Sequence, residues 1–456
     1  MTIQQLKSNK NTKGIKTASL AVLLSLMAGC SSSSTEQSVS LKAAAAAIDS
    51  STRSLTTRGI TITLSGVLAA SQPQDGRWEV SPETYAGVLV VSHTTTSGTI
   101  GSVINSPGKA ATEVQTQSAI GKRVTIGDVL LVASTFPGSP NCNEMTAIHV
   151  VPWLPSPDHI VGPALGAPNI FNKFLRTNAP IGPLDLSRLP SIVNIDSLPV
   201  AWGQFGKGKP TFEWMESQIG FLGDVGDSWG LTAMPTAQVN SYGRNLACRV
   251  SQALVMCCST APAEQKRKLA TRLVQNGMDV LGAFLDGRTQ EVDGGHYQGR
   301  KALIVFSLHM LGIPENLWPI VLQNQFQEDL AYGDLGPLAW QPSWRYGWRG
   351  RHRNRHYWNL SPSQWDDNQR EKWYVLNYCH GNVGPQIGTA LAMQLLGLQH
   401  HFGAMTGFVG QWMTGPNAAG IQALSAAGIT GLPWGKDFSF DKAEDFCAAA
   451  WVKYHK

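Results

Sequence analysis

The chain has 456 residues, 43% of them hydrophobic and 15% charged, with a formal net charge of +5. That is the composition of a folded globular protein; it excludes a disordered chain, and the charge is too small to identify a polyanion partner without local clustering. Fifteen tryptophans in so weakly charged a chain suit either stacking on sugars or a large helical core.

Lys7, Lys10, Lys13 and Lys16 precede an apolar run from Ala18 to Met27. The run is too short to span a bilayer as a helix and has the proportions of a secretory signal. It ends in Leu26-Met27-Ala28-Gly29-Cys30, which resembles the lipobox of bacterial lipoproteins. The resemblance implies cleavage before Cys30, lipidation of Cys30 and a mature protein tethered to a membrane. Ser31 beside it implies the outer membrane. The Ser- and Ala-rich tract that follows has little to bury and reads as a flexible tether, so residues 1–29 are assigned to the signal and 30–57 to the tether.

From 58 to 155, short β-rich runs alternate with turn residues: Ile60 to Leu64, Gly87 to Ser92, Val124 to Ile126 and Val129 to Val132. Such spacing predicts a small antiparallel β-sandwich. A Pro-rich connection spans 156–209. From 210 to 456 the hydrophobic period lengthens to that of helices. Leu269, Leu273, Val280 and Phe284 share one face after Pro262, and Arg300 to Leu311 is nearly all apolar before Gly312 and Pro314. Gly384 to Leu396, His401 to Met413 and Asp441 to Tyr454 complete the series. Short helices joined by Gly- and Pro-containing loops predict helical hairpins closing into an α/α toroid, so the expected fold is mainly α with a small β domain.

Candidate chemistry concentrates in the loops of the helical part. In Asp293-Gly-Gly-His296-Tyr297-Gln-Gly-Arg300, the glycines admit close approach of a ligand, and the polar side chains gather at a helix start, which favours anions. Tyr378-Cys379-His380-Gly381-Asn382 places a second polar group before an apolar helix, with His and Tyr able to move a proton and Asn able to bond a carboxyl oxygen. Both stretches equally suit plain helix caps. From Trp344 to Trp358 the chain packs five arginines, two histidines and five aromatic rings, without an apolar period. Trp344, Arg345, Tyr346, Trp348 and Arg349 are therefore read, with Tyr297, as ligand contacts: guanidinium forks take carboxylates and aromatic faces stack on sugar rings.

Three other patterns carry less. Gly226-Asp227-Ser228-Trp229-Gly230 fits the GxSxG elbow of serine esterases, but 46 glycines make a chance match easy and no βαβ alternation surrounds it. His352 and His356 have metal-pair spacing but arginine neighbours, and no metal or other cofactor is expected; His400-His401 reads as a helix start. Besides Cys30 there are Cys142, Cys248, Cys257, Cys258, Cys379 and Cys447, without a CxxC pair, so buried thiols with one or two bridges are expected and their pairing is open.

A small β-domain, an α/α toroid and loops rich in Arg, His, Tyr and Asn together resemble bacterial polysaccharide lyases of the alginate and heparin type. The resemblance implies β-elimination on a uronic-acid polymer, with Arg300, Asn382 or an arginine from 345 to 355 neutralising the carboxylate and His296, His380, Tyr378 or Tyr346 moving protons. The competing mechanism is glycoside hydrolysis by paired carboxylates, with Asp293, Glu328 and Asp329 as candidates. A non-catalytic glycan-binding lipoprotein needs only the arginine and aromatic contacts. An anionic polysaccharide and a membrane are the expected partners. Export argues against nucleic acid, and oligomeric state is open.

Overall fold

The computed structural model describes residues 52–74, 76–96, 98–105, 114, 116–135, 142–165, 179–203, 208–219, 243–286, 298–318, 326–330, 383–414 and 442–456. Residues Ser50–Lys456 form one compact unit.

Among the described residues nine strands come first: β1 (Thr52–Thr57), β2 (Ile60–Ser65), β3 (Val67–Gln74), β4 (Arg77–Pro82), β5 (Val88–Thr95), β6 (Thr99–Ile104), β7 (Arg123–Val124), β8 (Val129–Thr135) and β9 (Cys142–Val150). They form a four-stranded sheet, β1-β2-β5-β7, and a five-stranded sheet, β3-β4-β9-β8-β6. Alternation buries Ile60, Ile62 and Leu64 of β2 on one face, and these share a core with Val80, Leu130, Val132 and Ile148 of the other sheet.

Two details depart from the sequence reading. β1 lies inside the stretch assigned to the tether. Arg58 and Gly59 both take positive φ (49° and 73°), the geometry of a tight two-residue hairpin, and this pairs Thr57 with Ile60. The strand is held by polar cross-strand pairs such as Thr56–Thr61 (3.0 Å) and buries Leu55, so it has no apolar period to announce it. The second departure is that β4 pairs with β9 in parallel, so the strand region is not purely antiparallel.

The helices are α1 (Phe212–Gln218), α2 (Gly243–Cys257), α3 (Ala263–Leu285), α4 (Arg300–Met310), the single turn α5 (Gln327–Leu330), α6 (Ile387–Leu395), α7 (Gly403–Thr414) and α8 (Lys442–Tyr454). α3 begins directly after Pro262, and α4 ends before Gly312, which takes φ 69°, as the sequence signals required.

Their assembly overturns the toroid. In a ring of hairpins each helix meets its neighbours in the ring and leaves a face outside. Here α2 is buried nearly all round and packs against α1, α3, α4, α6 and α8, so it is a central helix with others gathered about it. With two sheets of four and five strands beside these helices, the molecule mixes α and β rather than being mainly α with a small β appendage. Among the described residues, no helix is long and apolar enough to cross a membrane.

α3 organises the meeting of strands and helices. Asp279, fully buried, accepts from both ends of the Arg77 guanidinium on β4 and from Ala164 N at 2.7 Å. One turn earlier, Gln275 brackets Val161, accepting from its N–H at 3.0 Å and donating to its carbonyl at 2.7 Å. The Pro-rich connection is thus fastened along α3 by satisfied buried polar groups.

Candidate functional site

The anchoring of β4 to α3 leaves a cleft of about 310 Å3 between the connection and the helices, lined among others by His159, Glu216, Arg267, Lys268, Thr271 and Arg272. Each wall has a local cause. On β4, alternation puts Arg77 and Glu79 on the same face, the first toward Asp279 and the second under the connection. A turn at Ser156–His159 closes with His159 N donating to Ser156 O at 3.3 Å, and Ile160 then bridges Ile181. This sets the imidazole of His159 over Glu79: Nδ1 lies 2.6 Å from Oε2, while the other carboxylate oxygen accepts from Trp153 Nε1 at 3.2 Å.

Glu79 is 1% exposed and His159 14%, so the carboxylate is held inside and the ring reaches the cleft. Engagement of Nδ1 leaves Nε2 as the ring nitrogen that Glu79 does not touch. A histidine oriented in this way by a buried carboxylate is the geometry of a general base with its orienting group.

The opposite wall is one face of α3 and part of α1. Arg267 and Thr271 lie at i, i+4 spacing on α3, and so do exposed Lys268 and half-buried Arg272. Arg267 donates to Leu184 O at 3.3 Å and pairs with Glu264 at 3.2 Å, an exposed pair of small worth. From α1, burial pushes the Glu216 carboxyl above its usual range although Arg272 and Lys268 pull it back. The cleft therefore offers a positioned histidine, two guanidiniums and an ammonium, and a carboxyl biased toward its protonated form. On β9, in register with Glu79, burial and the charge of Arg77 push His149 down to about 3, which keeps that ring neutral.

A second cluster gathers three residues singled out in the sequence. Gly299 caps α4 with φ 85°, and its N–H donates to Glu328 Oε1 at 2.6 Å. Lys301 pairs with Asp329 and also donates to the His401 carbonyl. Arg300, Glu328 and Asp329 are thus brought to one helix entrance, with Arg300 buried at 1% and Glu328 at 0%. Burial pushes Glu328 up to about 7 against the hydrogen bond from Gly299, and among the described residues its enclosed Oε2 meets no hydrogen-bond partner. Gln298, preceding Gly299, accepts from Gln386 at 3.4 Å.

Asp293, His296, Tyr297, Trp344, Arg345, Tyr346, Trp348, Arg349, Tyr378, His380, Asn382 and Cys30 lie outside the described residues, as do the Gly226–Gly230 motif and His352 and His356. Cys257 and Cys258 are buried thiols, and burial pushes Cys258 up to about 12.

Sequence reasoning missed Glu79, His159, Glu216, Arg267 and Arg272. Glu79 and His159 stand 80 residues apart, and neither belongs to a spaced motif. The one available signal was the run Lys266-Arg267-Lys268 with Arg272 on a helix otherwise read only for its apolar face. Compared with protein families, with curated proteins and with solved structures, the chain gives no match.

Proposed function

We propose that the chain cleaves an anionic, uronic-acid polysaccharide by β-elimination in the cleft between the strand region and α3. The observation that carries the reading is His159, held by buried Glu79 at 2.6 Å and facing a cleft whose far wall bears Arg267, Lys268 and Arg272. Elimination needs a cation against the carboxylate, so that negative charge developing on it is stabilised. It also needs a base for the proton on the adjacent carbon and an acid for the leaving oxygen. Arg267 and Arg272 suit the first task, since guanidinium forks take carboxylates in two parallel hydrogen bonds. His159 Nε2 takes the proton. Glu216 returns one to the departing oxygen as the bond to the ring carbon breaks and the double bond forms. The arginine- and aromatic-rich stretch from Trp344 to Trp358 supports the same substrate class, as does the export signal ending at Cys30. With the toroid removed, the reading rests on these side chains and not on architecture.

Glycoside hydrolysis is a second reading, favoured by one observation: Glu328, brought to the α4 entrance beside Asp329 and raised by burial to about 7, is a carboxyl of the kind that serves as general acid. The two separate in one assay. The full chain is incubated with a panel of uronic-acid polysaccharides while ultraviolet absorbance of the unsaturated product and new reducing ends are followed together. Elimination predicts both signals, with His159→Ala lowering the rate about a hundredfold or more. Glu79→Gln should lower kcat with little change in KM, and Glu79→Asp should restore part of it. Reducing ends without absorbance, lost in Glu328→Gln and kept in His159→Ala, establish hydrolysis instead. Absorbance that survives His159→Ala but vanishes in His296→Ala or His380→Ala moves the base to those loops. Silence on every substrate sinks both readings.

A further inference from the structure

Away from the cleft, one cluster of ligating side chains is drawn from two segments distant in sequence. Glu315 opens a 3-10 turn, Glu315–Leu317, after α4, and His400 and His401 sit in another, Gln399–Phe402, before α7. His400 Nε2 lies 2.8 Å and His401 Nε2 3.3 Å from the same oxygen, Glu315 Oε2. The three donor atoms fall within 4.8 Å of one another. The frame is set independently of any ligand. Trp318 stacks on the His401 ring at 4.5 Å and 26°, and its Nε1 donates to Ile313 O at 2.8 Å.

The arrangement exceeds what an ion pair requires. One hydrogen bond from His400 already serves Oε2, whereas His401 Nε2, 3.3 Å from that oxygen, is enclosed without an aligned hydrogen bond among the described residues. The ring centroids lie 4.1 Å apart. A cation among the three donors engages Nε2 of both rings, each presenting a lone pair to it, and the carboxylate balances charge.

The geometry points to a divalent-cation site of the zinc class, formed by His400 Nε2, His401 Nε2 and Glu315 Oε2. Zinc bonds of about 2.0–2.1 Å at tetrahedral angles place donor atoms about 3.3 Å apart, close to the 2.8 and 3.3 Å from the two histidines to the carboxylate oxygen. Glu315 and His400 are about half exposed, which leaves the fourth position to water. The site does not depend on the elimination reading, yet it adjoins the α4 entrance. The carbonyl of His401 accepts from Lys301, the partner of Asp329, so a bound cation would fasten the segment that holds Lys301.

The test uses the full chain, stripped with a chelator, dialysed and titrated calorimetrically with zinc chloride, alongside a His400→Ala/His401→Ala double variant and Glu315→Gln. The parent should bind one equivalent more than the double variant, and Glu315→Gln should weaken that equivalent at least about tenfold. Cobalt(II) in place of zinc should give the intense visible bands of a tetrahedral site in the parent alone. Equal stoichiometry and affinity in parent and double variant place any bound zinc elsewhere and overturn the proposal, as does a parent that takes up none. If the double variant loses its folded circular dichroism, Glu315→Gln, which keeps size and shape, decides alone: unchanged affinity there rejects the site.

Discussion

Asp279 has no exposed surface and receives both ends of the Arg77 guanidinium together with the Ala164 amide. Burial alone pushes such a carboxyl up, and the neighbouring guanidinium pulls it back, so the group depends on its partner. Buried pairs of this kind contribute little against an apolar substitute, because desolvation consumes most of their attraction. Breaking one is expensive, because the remaining charge stays inside without compensation. Asp279→Ala is therefore expected to cost about 3–5 kcal/mol of unfolding free energy, read from chemical denaturation. The double change Arg77→Met/Asp279→Leu should recover most of that loss. The loss should also reach the cleft, since Arg77 precedes Glu79 by two residues on β4. A cost below about 1 kcal/mol for Asp279→Ala would show that the pair does not anchor the strand region.

α3 and α4 cross in close contact, and a glycine permits it. A Cβ built on Gly277 would lie 2.1 Å from Leu303 O and 2.0 Å from Ser307 Oγ, so α4 would have to move. Ser307 Oγ meanwhile donates to Val274 O at 3.0 Å across the crossing, a bond that displacement would break. Gly277→Ala, favourable in an ordinary helix interior, should here destabilise by about 1–3 kcal/mol or more, measured as a lower denaturation midpoint. A neutral or stabilising result would show that the crossing is looser. The two helices themselves were legible in the sequence: Leu269, Leu273, Val280 and Phe284 mark one face of α3, and Gly312 and Pro314 bound α4. Gly277 within that pattern signals nothing, because the backbone it meets is 26 residues away. The same limit applies to the strands. β2 and β8 announce themselves by apolar alternation or an apolar run, whereas β1 and β3 are rich in Ser, Thr, Gln and Ala.

Across the whole molecule, the apolar faces of α3, α4 and the C-terminal helices were readable but not which faces meet, and so a ring was expected where α2 stands at the centre. α2 buries Arg249, Ser251 and Gln252 among its apolar residues, so no plain apolar face announced it as the central helix. The site divided in the same way. Arg300 stands at the start of α4, a position that sequence shows, but Glu328 and Asp329 reach it only through packing of the turn at Gln327–Leu330, which no sequence pattern announced. His159 and Glu79 meet only through the docking of β4 on α3. These buried groups also set a pH dependence for the entire fold. Glu328 is raised from 4.5 to about 7, so between those values the unfolded chain ionises it while the folded chain keeps it protonated. Stability from this group is therefore full below about 4.5 and falls as pH rises to about 7, by a few kcal/mol. His149 acts in the opposite sense: lowered from 6.5 to about 3, it contributes fully above 6.5 and loses that contribution as pH falls toward 3. The opposed slopes overlap between about 4.5 and 6.5, and a plateau of stability is expected there, with decline on both sides. Glu328→Gln keeps an oxygen for the Gly299 amide and removes the ionisation. Its stability relative to the parent should thus be least favourable near pH 4, improve steadily up to about 7 and stay level beyond. Denaturation curves of both proteins across that range provide the check; a difference that does not change with pH would mean that Glu328 ionises alike in the folded and unfolded chain.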